Sequence, residues 1–450
     1  MKPQYALCVV IVSAMLSSCS ILSLFQDRED FIRVHGTQLL HKSSPYYFVG
    51  TNMWYGCYLG SPGQTGNRPR LLRELDSMKV YGISNLRVLA ASEESYIRQS
   101  VKPAIQRSPG VVDDSLMQGL DFFLAKLAER DMHAVLYLGN YWEWSGGLAQ
   151  YNVWAGDTIV DPENPAHGWP AFMDFSASFY SNPKATELHR NYIRMIVHRK
   201  NSVNGRSYKD DPTIMAWQLA NEPRPGVRGA FGEKNLSAFY RWIDKTAEFI
   251  HSLDTNHLVS AGSEGTIGTF QSEEFFLRAF ATPHINYLDF HLWPFNWEWF
   301  DPKRWEETID SAEVKSAAYI RQHIKLARTL GKPIVMDEFG LGRDVGEILP
   351  GTSTAARDRF YRFVCRVLED SARAGTPIAG SNFWAWGGSE KAQHADGMWK
   401  RGDPFVGDPP HERQGLNSVF ISDSSTLRII RDHSRNMRSL SSRVPASHSP

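Results

Sequence analysis

Apolar and polar positions fall along this chain in two alternating kinds of segment. Short runs that are apolar nearly throughout read as strands buried on both faces, as parallel strands are. They cover 46–52, 83–90, 133–138, 213–220, 257–261, 286–291, 333–337 and 378–384. Between them lie longer segments with apolar residues three and four positions apart, which predict amphipathic helices. These are 68–81 (Leu71, Leu72, Leu75, Met78), 116–130 (Leu120, Phe123, Leu124, Leu127), 184–200, 235–253, 312–330 and 355–374. A last short helix is expected near 424–432, and Gly82, Gly331 and Gly375 stand where helices should stop. Eight strands mostly alternating with helices have the cadence of a (β/α)8 barrel, an α/β fold with one catalytic domain over 31–433. A doubly wound sheet is the alternative, but no glycine-rich phosphate fingerprint follows the first strand. Two stretches carry neither period. Residues 139–182 read as a long loop holding Trp142, Trp144, Trp154 and Trp169, and such insertions usually have a function. Residues 434–450 are polar and rich in Ser and Arg, and are expected to be a disordered tail.

The N-terminus breaks the pattern differently. After Lys2, residues 6–16 are apolar apart from Ser13, too short to span a bilayer but right for the core of a signal peptide. Leu16-Ser17-Ser18-Cys19 follows and resembles the bacterial lipobox. The expectation is a signal peptide over 1–18, a lipid on Cys19 and a tether over 19–30. That implies an exported lipoprotein on the outer membrane or cell surface; with Cys19 a bystander, the chain would be secreted. Of the four cysteines, Cys57 and Cys365 remain in the body. One disulfide between them is possible, and no cysteine spacing resembles a metal site.

Composition narrows the partners. Lys+Arg and Asp+Glu both number 49, so no basic excess points to nucleic acid. The unusual figure is 14 Trp, with aromatics at 12%. Flat apolar rings with one N–H donor suit ligands with flat apolar faces, and sugars are the main class.

The candidate chemistry sits at two strand ends. The run Thr213 to Ala220 ends abruptly in Asn221-Glu222-Pro223, and Pro223 cannot continue a ladder. Glu338 likewise follows the apolar run Ile334-Val335-Met336 and Asp337. Counted along the chain, these are strands four and seven. In a closed barrel both carboxylates face one mouth, at the end where barrels put their active sites. Two carboxyls in one cleft equip a site for glycoside hydrolysis, one as proton donor and the other ionised to attack the anomeric carbon. Arg87, at the end of strand two, is placed to hold Glu338 ionised.

These motifs carry a resemblance. Trp217-Gln218-Leu219-Ala220-Asn221-Glu222-Pro223 and Val335-Met336-Asp337-Glu338-Phe339-Gly340 look like the signatures of glycoside hydrolase family 5. Phe48-Val49-Gly50-Thr51-Asn52, Asn140-Tyr141-Trp142-Glu143-Trp144-Ser145-Gly146-Gly147 and Phe383-Trp384-Ala385-Trp386-Gly387-Gly388 are similar to its endo-β-1,4-mannanase branch. The resemblance runs from about Phe31 to about Asp432. It implies a retaining double displacement on mannan, glucomannan or galactomannan, with Glu222 as acid/base and Glu338 as nucleophile. It further implies Asn221 on the sugar 2-hydroxyl, Arg87 supporting the nucleophile, His291 as the strand-six histidine and Trp384 as the floor beneath the sugar. Trp386 could share that floor, Trp142 lines a subsite, and Trp54, Trp297 and Trp299 are platforms or loop anchors. One position departs from the family: Trp293 stands where many members have a Tyr whose hydroxyl bonds the nucleophile.

Other classes remain open on the sequence alone. Ala261-Gly262-Ser263-Glu264-Gly265 nearly mimics the nucleophile elbow of a serine hydrolase, though Ala replaces the first Gly. A β-1,4-glucanase would share all the machinery, and a glycan-binding lipoprotein would keep the barrel without catalysis. No motif asks for a metal or organic cofactor, and a monomer is expected.

Overall fold

The structure, a computed structural model, describes residues 30–441; the expected signal peptide, Cys19 and most of the tether lie outside them. Among the described residues, eight parallel strands form one sheet, each followed by a helix. The strands are β1 Phe48–Asn52, β2 Asn85–Leu89, β3 His133–Tyr137, β4 Ile214–Gln218, β5 Leu258–Ser260, β6 Leu288–Leu292, β7 Ile334–Phe339 and β8 Ile378–Phe383. The helices are α1 Arg68–Val80, α2 Asp114–Ala128, α3 Pro183–Val197, α4 Ala230–Leu253, α5 Glu273–Phe280, α6 Trp305–Leu330, α7 Ala355–Arg373 and α8 Ser424–Ser441. Every residue of the eight strands is buried except the half-buried His133, as the apolar runs require.

The strand order is β5-β4-β3-β2-β1-β8-β7-β6. The ring closes between β5 and β6 through a side chain: Asn286 N–H donates to the Val259 carbonyl at 2.8 Å, and Val259 N–H donates to Asn286 Oδ1 at 2.7 Å. Asp289 on β6 then accepts from Gly262 N–H at 2.9 Å and from Ser263 N–H. The fold is a (β/α)8 barrel. Its floor is an apolar cluster of Phe48, Val135, Met215, Leu258, Tyr287 and Val335. A hairpin of Arg33–His35 and Gln38–His41 adds Ile32 and Leu39 to that cluster. Strands of three and four residues are too short to announce themselves as a period in the sequence. Gly380 is required within the barrel: a Cβ there would lie 2.6 Å from the Phe48 ring.

The structure corrects three expectations. The stretch 139–182 is not one loop but carries two helices, Gly147–Ala155 and Gly168–Ser178, packed on each other and hidden by their lack of a long apolar stripe. Helix α6 starts at Trp305, seven residues early, with Glu306 and Glu307 in its first turn complementing the helix dipole. The tail from 434 continues helix α8 to Ser441: His433, Ser434, Met437 and Leu440 are buried, and the helix packs on α7 and β1. Ser and Arg on its outer face masked this stripe. Cys57 and Cys365 are both buried and free. No helix among the described residues is long and apolar enough to cross a membrane.

Met437 distinguishes a packed helix from a tail. Met437→Ala is expected to cost about 2–4 kcal/mol, as deletion of a buried Met side chain does, read as a lower urea midpoint at unchanged slope. A midpoint equal to that of the native chain would mean that the segment does not pack.

Candidate active site

Strand β4 is hydrogen-bonded through Gln218, after which the chain turns outward. Asn221 forms one further bridge with Asn140 beyond β3. Glu222 has φ +50°, a left-handed conformation that costs a non-glycine residue about 1–3 kcal/mol. Its N–H donates to the Gly262 carbonyl at 2.8 Å, and Pro223 follows, so the backbone is held there. The turn aims the Glu222 carboxylate into the barrel mouth. Glu338 sits in β7 itself, paired with His291 of β6 across a register shift between Phe290 and His291.

One oxygen of each carboxylate and His291 Nδ1 lie within 4.8 Å of one another. His291 Nδ1 is 2.7 Å from Glu222 Oε1 and 3.2 Å from Glu338 Oε2. Burial, then the Arg87 charge, holds this imidazole well below its ordinary pKa. It is therefore neutral, and Nδ1, which faces two acceptors, carries the proton. Burial likewise pushes both carboxyls above their usual range, and they titrate as a pair. Their partners differ. Glu338 accepts from the Arg87 guanidinium and from the Trp293 indole N–H at 3.1 Å. Glu222 accepts from the Trp142 indole N–H, and the Arg224 and Arg87 charges act on it without a hydrogen bond. A charge-assisted bond favours the ionised form, so Arg87 and the indole oppose the effect of burial at Glu338.

Arg87 is fully buried and spends its donors on four groups. Beside Glu338 it bonds Gln218 Oε1 at 2.7 Å, Asn221 Oδ1 at 2.8 Å and Asn52 Oδ1 at 3.2 Å. Beneath it Gln218 Nε2 donates to Asp337 and, at 3.4 Å, to Asp289. Burial and the Asp289 charge push Asp337 up to about 7, which limits negative charge beneath Glu338.

The cleft around the pair is a cavity of about 410 Å³. Asn221, Trp142, Trp384 and Trp293 line it, as expected, together with Trp169 and Trp297. Trp384 stands edge-on to Trp293 with centroids 6.0 Å apart. Trp293 thus supplies an N–H donor where the family pattern has a hydroxyl. Trp54 and Trp386 do not line the cleft: of the two readings of Trp54 the anchor holds and the platform does not, and the expectation that Trp386 shares the sugar floor is corrected. Both are completely buried: Trp54 Nε1 donates to the Gly407 carbonyl at 2.9 Å and Trp386 Nε1 to Glu74 at 3.0 Å, so they anchor the wall. Trp299 packs against Trp297 and Tyr319 behind the rim. Ser263 Oγ accepts the Gly265 N–H at 2.9 Å, a turn contact. Sequence reasoning missed Arg224, which pairs with Glu264 and lies 5.0 Å from the Trp142 ring centre. Its place two residues after Glu222 was the available signal. Glu143, His411 and Glu412 also line the cleft, and the last two come from an irregular segment with no period to read.

A (β/α)8 barrel with two such carboxyls at the ends of β4 and β7 is that of a glycoside hydrolase. The family model for glycoside hydrolase family 5 β-mannosidase-like proteins matches residues 29–442, and the chain belongs to that family. A family 5 mannosidase from Rhizomucor miehei superposes with a TM-score of 0.84 at 33% identity, covering 92% of this chain and 99% of that one. A mutant of that enzyme has been solved with mannosyl-fructose. The chain is also similar to putative mannan endo-1,4-β-mannosidase 9 of Oryza sativa subsp. japonica, at 30% identity over 79% of this chain and 81% of that one. Putative mannan endo-1,4-β-mannosidase 4 of Arabidopsis thaliana is 28% identical over 96% and 97% of the two chains.

Removing the Trp293 donor tests the electrostatics. Trp293→Phe takes one hydrogen bond from ionised Glu338, so its pKa rises and the acid limb of the kcat/KM–pH profile moves to higher pH. Arg87→Lys cannot serve four acceptors, and turnover should fall roughly 10²–10³-fold. A Trp293→Phe profile superimposable on that of the native enzyme would remove the indole from the site.

Proposed function

We propose that the chain hydrolyses β-1,4-mannosidic bonds with retention of configuration, by double displacement. The observation that carries this is the carboxyl separation, within 4.8 Å between nearest oxygens. That fits the roughly 5–5.5 Å of retaining enzymes and leaves no room for the water of an inverting one. Glu338 attacks the anomeric carbon from below while Glu222 gives its proton to the leaving oxygen. Glu222 then takes a proton from water, which displaces Glu338. Trp384 offers a flat face to the ring C–H groups, and Asn221 stands beside Glu222 for the 2-hydroxyl. His291 Nδ1–H stands 2.7 Å from Glu222 Oε1, where it stabilises the carboxylate left when the proton goes to the leaving oxygen.

Mannan as substrate is supported by the family and by the names of the relatives, two of which are named putative mannan endo-1,4-β-mannosidases. An endo mode requires the cleft to take sugars on both sides of the cut. A second reading, attack at the chain end, is favoured by the family model, which describes β-mannosidase-like proteins. A monomer and export with a lipid on Cys19 complete the proposal, the latter resting on the lipobox-like Leu16-Ser17-Ser18-Cys19.

Two variants separate the roles. Glu338→Ala should lose hydrolysis of every mannoside. Glu222→Ala should lose mannan hydrolysis but keep a burst with an aryl mannoside whose leaving group needs no proton. Equal losses on both substrates would refute the assignment. Products from mannan, glucomannan and carboxymethylcellulose test the sugar: activity on cellulose alone would make the protein a glucanase.

A further inference from the structure

Asp289 of β6 is a carboxyl group only 1% exposed that the two-carboxyl chemistry does not touch. Such a group is costly to hold inside a barrel unless its oxygens are engaged. Both are engaged by backbone: Oδ2 accepts the Gly262 N–H at 2.9 Å, and Oδ1 accepts the Ser263 N–H. Gln218 Nε2 adds a longer contact to Oδ2 at 3.4 Å. Burial raises the pKa of Asp289 and the two N–H groups lower it, so its negative charge is directed at the backbone after β5.

The Ser263 N–H and the Gly262 carbonyl belong to one trans peptide group, in which they point opposite ways. On its far side that carbonyl accepts the Glu222 N–H at 2.8 Å. Carboxylate, peptide and Glu222 backbone therefore form one chain of hydrogen bonds, in which each bond polarises the next. A carboxylate at the N–H end makes the carbonyl a stronger acceptor, at the residue whose φ of +50° needs holding. The peptide takes this pose because residue 262 is glycine: its φ is +77°, and a Cβ there would lie 1.9 Å from the Ala220 carbonyl oxygen. Two residues along β6 from Asp289, His291 Nδ1 meets the Glu222 carboxyl at 2.7 Å. One strand thus grips Glu222 at its backbone and at its carboxyl.

We propose that Asp289 is a positioning residue for the proton donor: through the Gly262–Ser263 peptide it fixes the Glu222 backbone, and with it the place from which the proton is given and taken back. This rests on the reading of Glu222 as acid/base. Loss of Asp289 should tell on the steps that move a proton and spare the attack of Glu338. The charge beneath Glu338 is little changed by that loss, because the Asp289 charge is what opposes ionisation of the neighbouring Asp337. A residue that only stabilised the barrel would slow both kinds of step alike.

The test compares Asp289→Asn with the native full chain on two substrates. Asparagine keeps the size and one acceptor but turns an amide N–H toward the second backbone donor. Turnover of a β-mannan oligosaccharide, whose leaving sugar needs a proton, should fall about 10–100-fold, a part of the roughly 10²–10⁴-fold that general acid–base catalysis supplies. With an aryl mannoside whose leaving group needs no proton, the single-turnover rate constant for chromophore release should be unchanged. Azide, a nucleophile that needs no base, should speed later turnovers of the variant by displacing Glu338 from the sugar as mannosyl azide. Asp289→Glu keeps the charge and shifts the acceptors; it should show the same split more weakly, and it carries the test if Asp289→Asn does not fold. Equal losses on both substrates, or no loss on either, would overturn the positioning role. Glu222→Ala is run beside them. A split in Glu222→Ala without one in Asp289→Asn overturns the positioning role alone, whereas equal losses in Glu222→Ala overturn the acid/base reading and the positioning role with it.

Discussion

A single guanidinium organises the mouth of this barrel. Arg87 is wholly buried, where an uncompensated charge would be too costly to keep. It is compensated by groups from three other parts of the ring: Asn52 from β1, Gln218 and Asn221 from β4 and its continuation, and Glu338 from β7. Because the guanidinium is planar and its donors are fixed in direction, these four side chains are fixed relative to each other. Stabilising the barrel rim and setting the charge of Glu338 are therefore the same interaction.

The carboxyl pair depends on that arrangement. Both groups are pushed toward protonation by burial, and their donors and neighbouring charges differ. Arg87 and Trp293 serve Glu338, and Trp142 serves Glu222. His291, neutral and shared between them, stands 2.7 Å from Glu222 and 3.2 Å from Glu338. The left-handed Glu222 backbone is the strained element, and the Gly262 carbonyl across β5 holds it there.

Around this core the excursions differ in kind. Over the segments that follow β3 to β6 the rim is aromatic, with Trp297 bonded to Glu264 and Arg224 near the Trp142 ring. In the segment after β8 the rim is braced by buried hydrogen bonds from Asp408 and Gln414 and carries His411 and Glu412 to the cleft. A barrel of one architecture thus has a rim of two kinds, and the lining of its cleft is a property of loops rather than of strands.

The order of strands and helices was legible because a strand buried on both faces needs an apolar run and a helix on the barrel surface needs a three-to-four spacing. The carboxylates were legible for the same reason: Glu222 and Glu338 are anomalies at the ends of such runs, as Arg87 is an anomaly within one. Local periodicity has no term for partners distant in the chain. It could not tell that Trp54 and Trp386 are anchors while Trp142 and Trp384 face the cleft, since all four lie in similar aromatic stretches. Nor could it show that Met437 and Leu440 continue a packed helix under a Ser- and Arg-rich surface. The indole of Trp293 reaching Glu338, the imidazole of His291 between two acids and the contact of Glu143 with His411 join residues far apart in sequence. The amino-acid order determined which residues are able to do chemistry; closure of the ring decided which of them meet, because hydrogen bonds and charges act over a few ångströms of space and not along the chain.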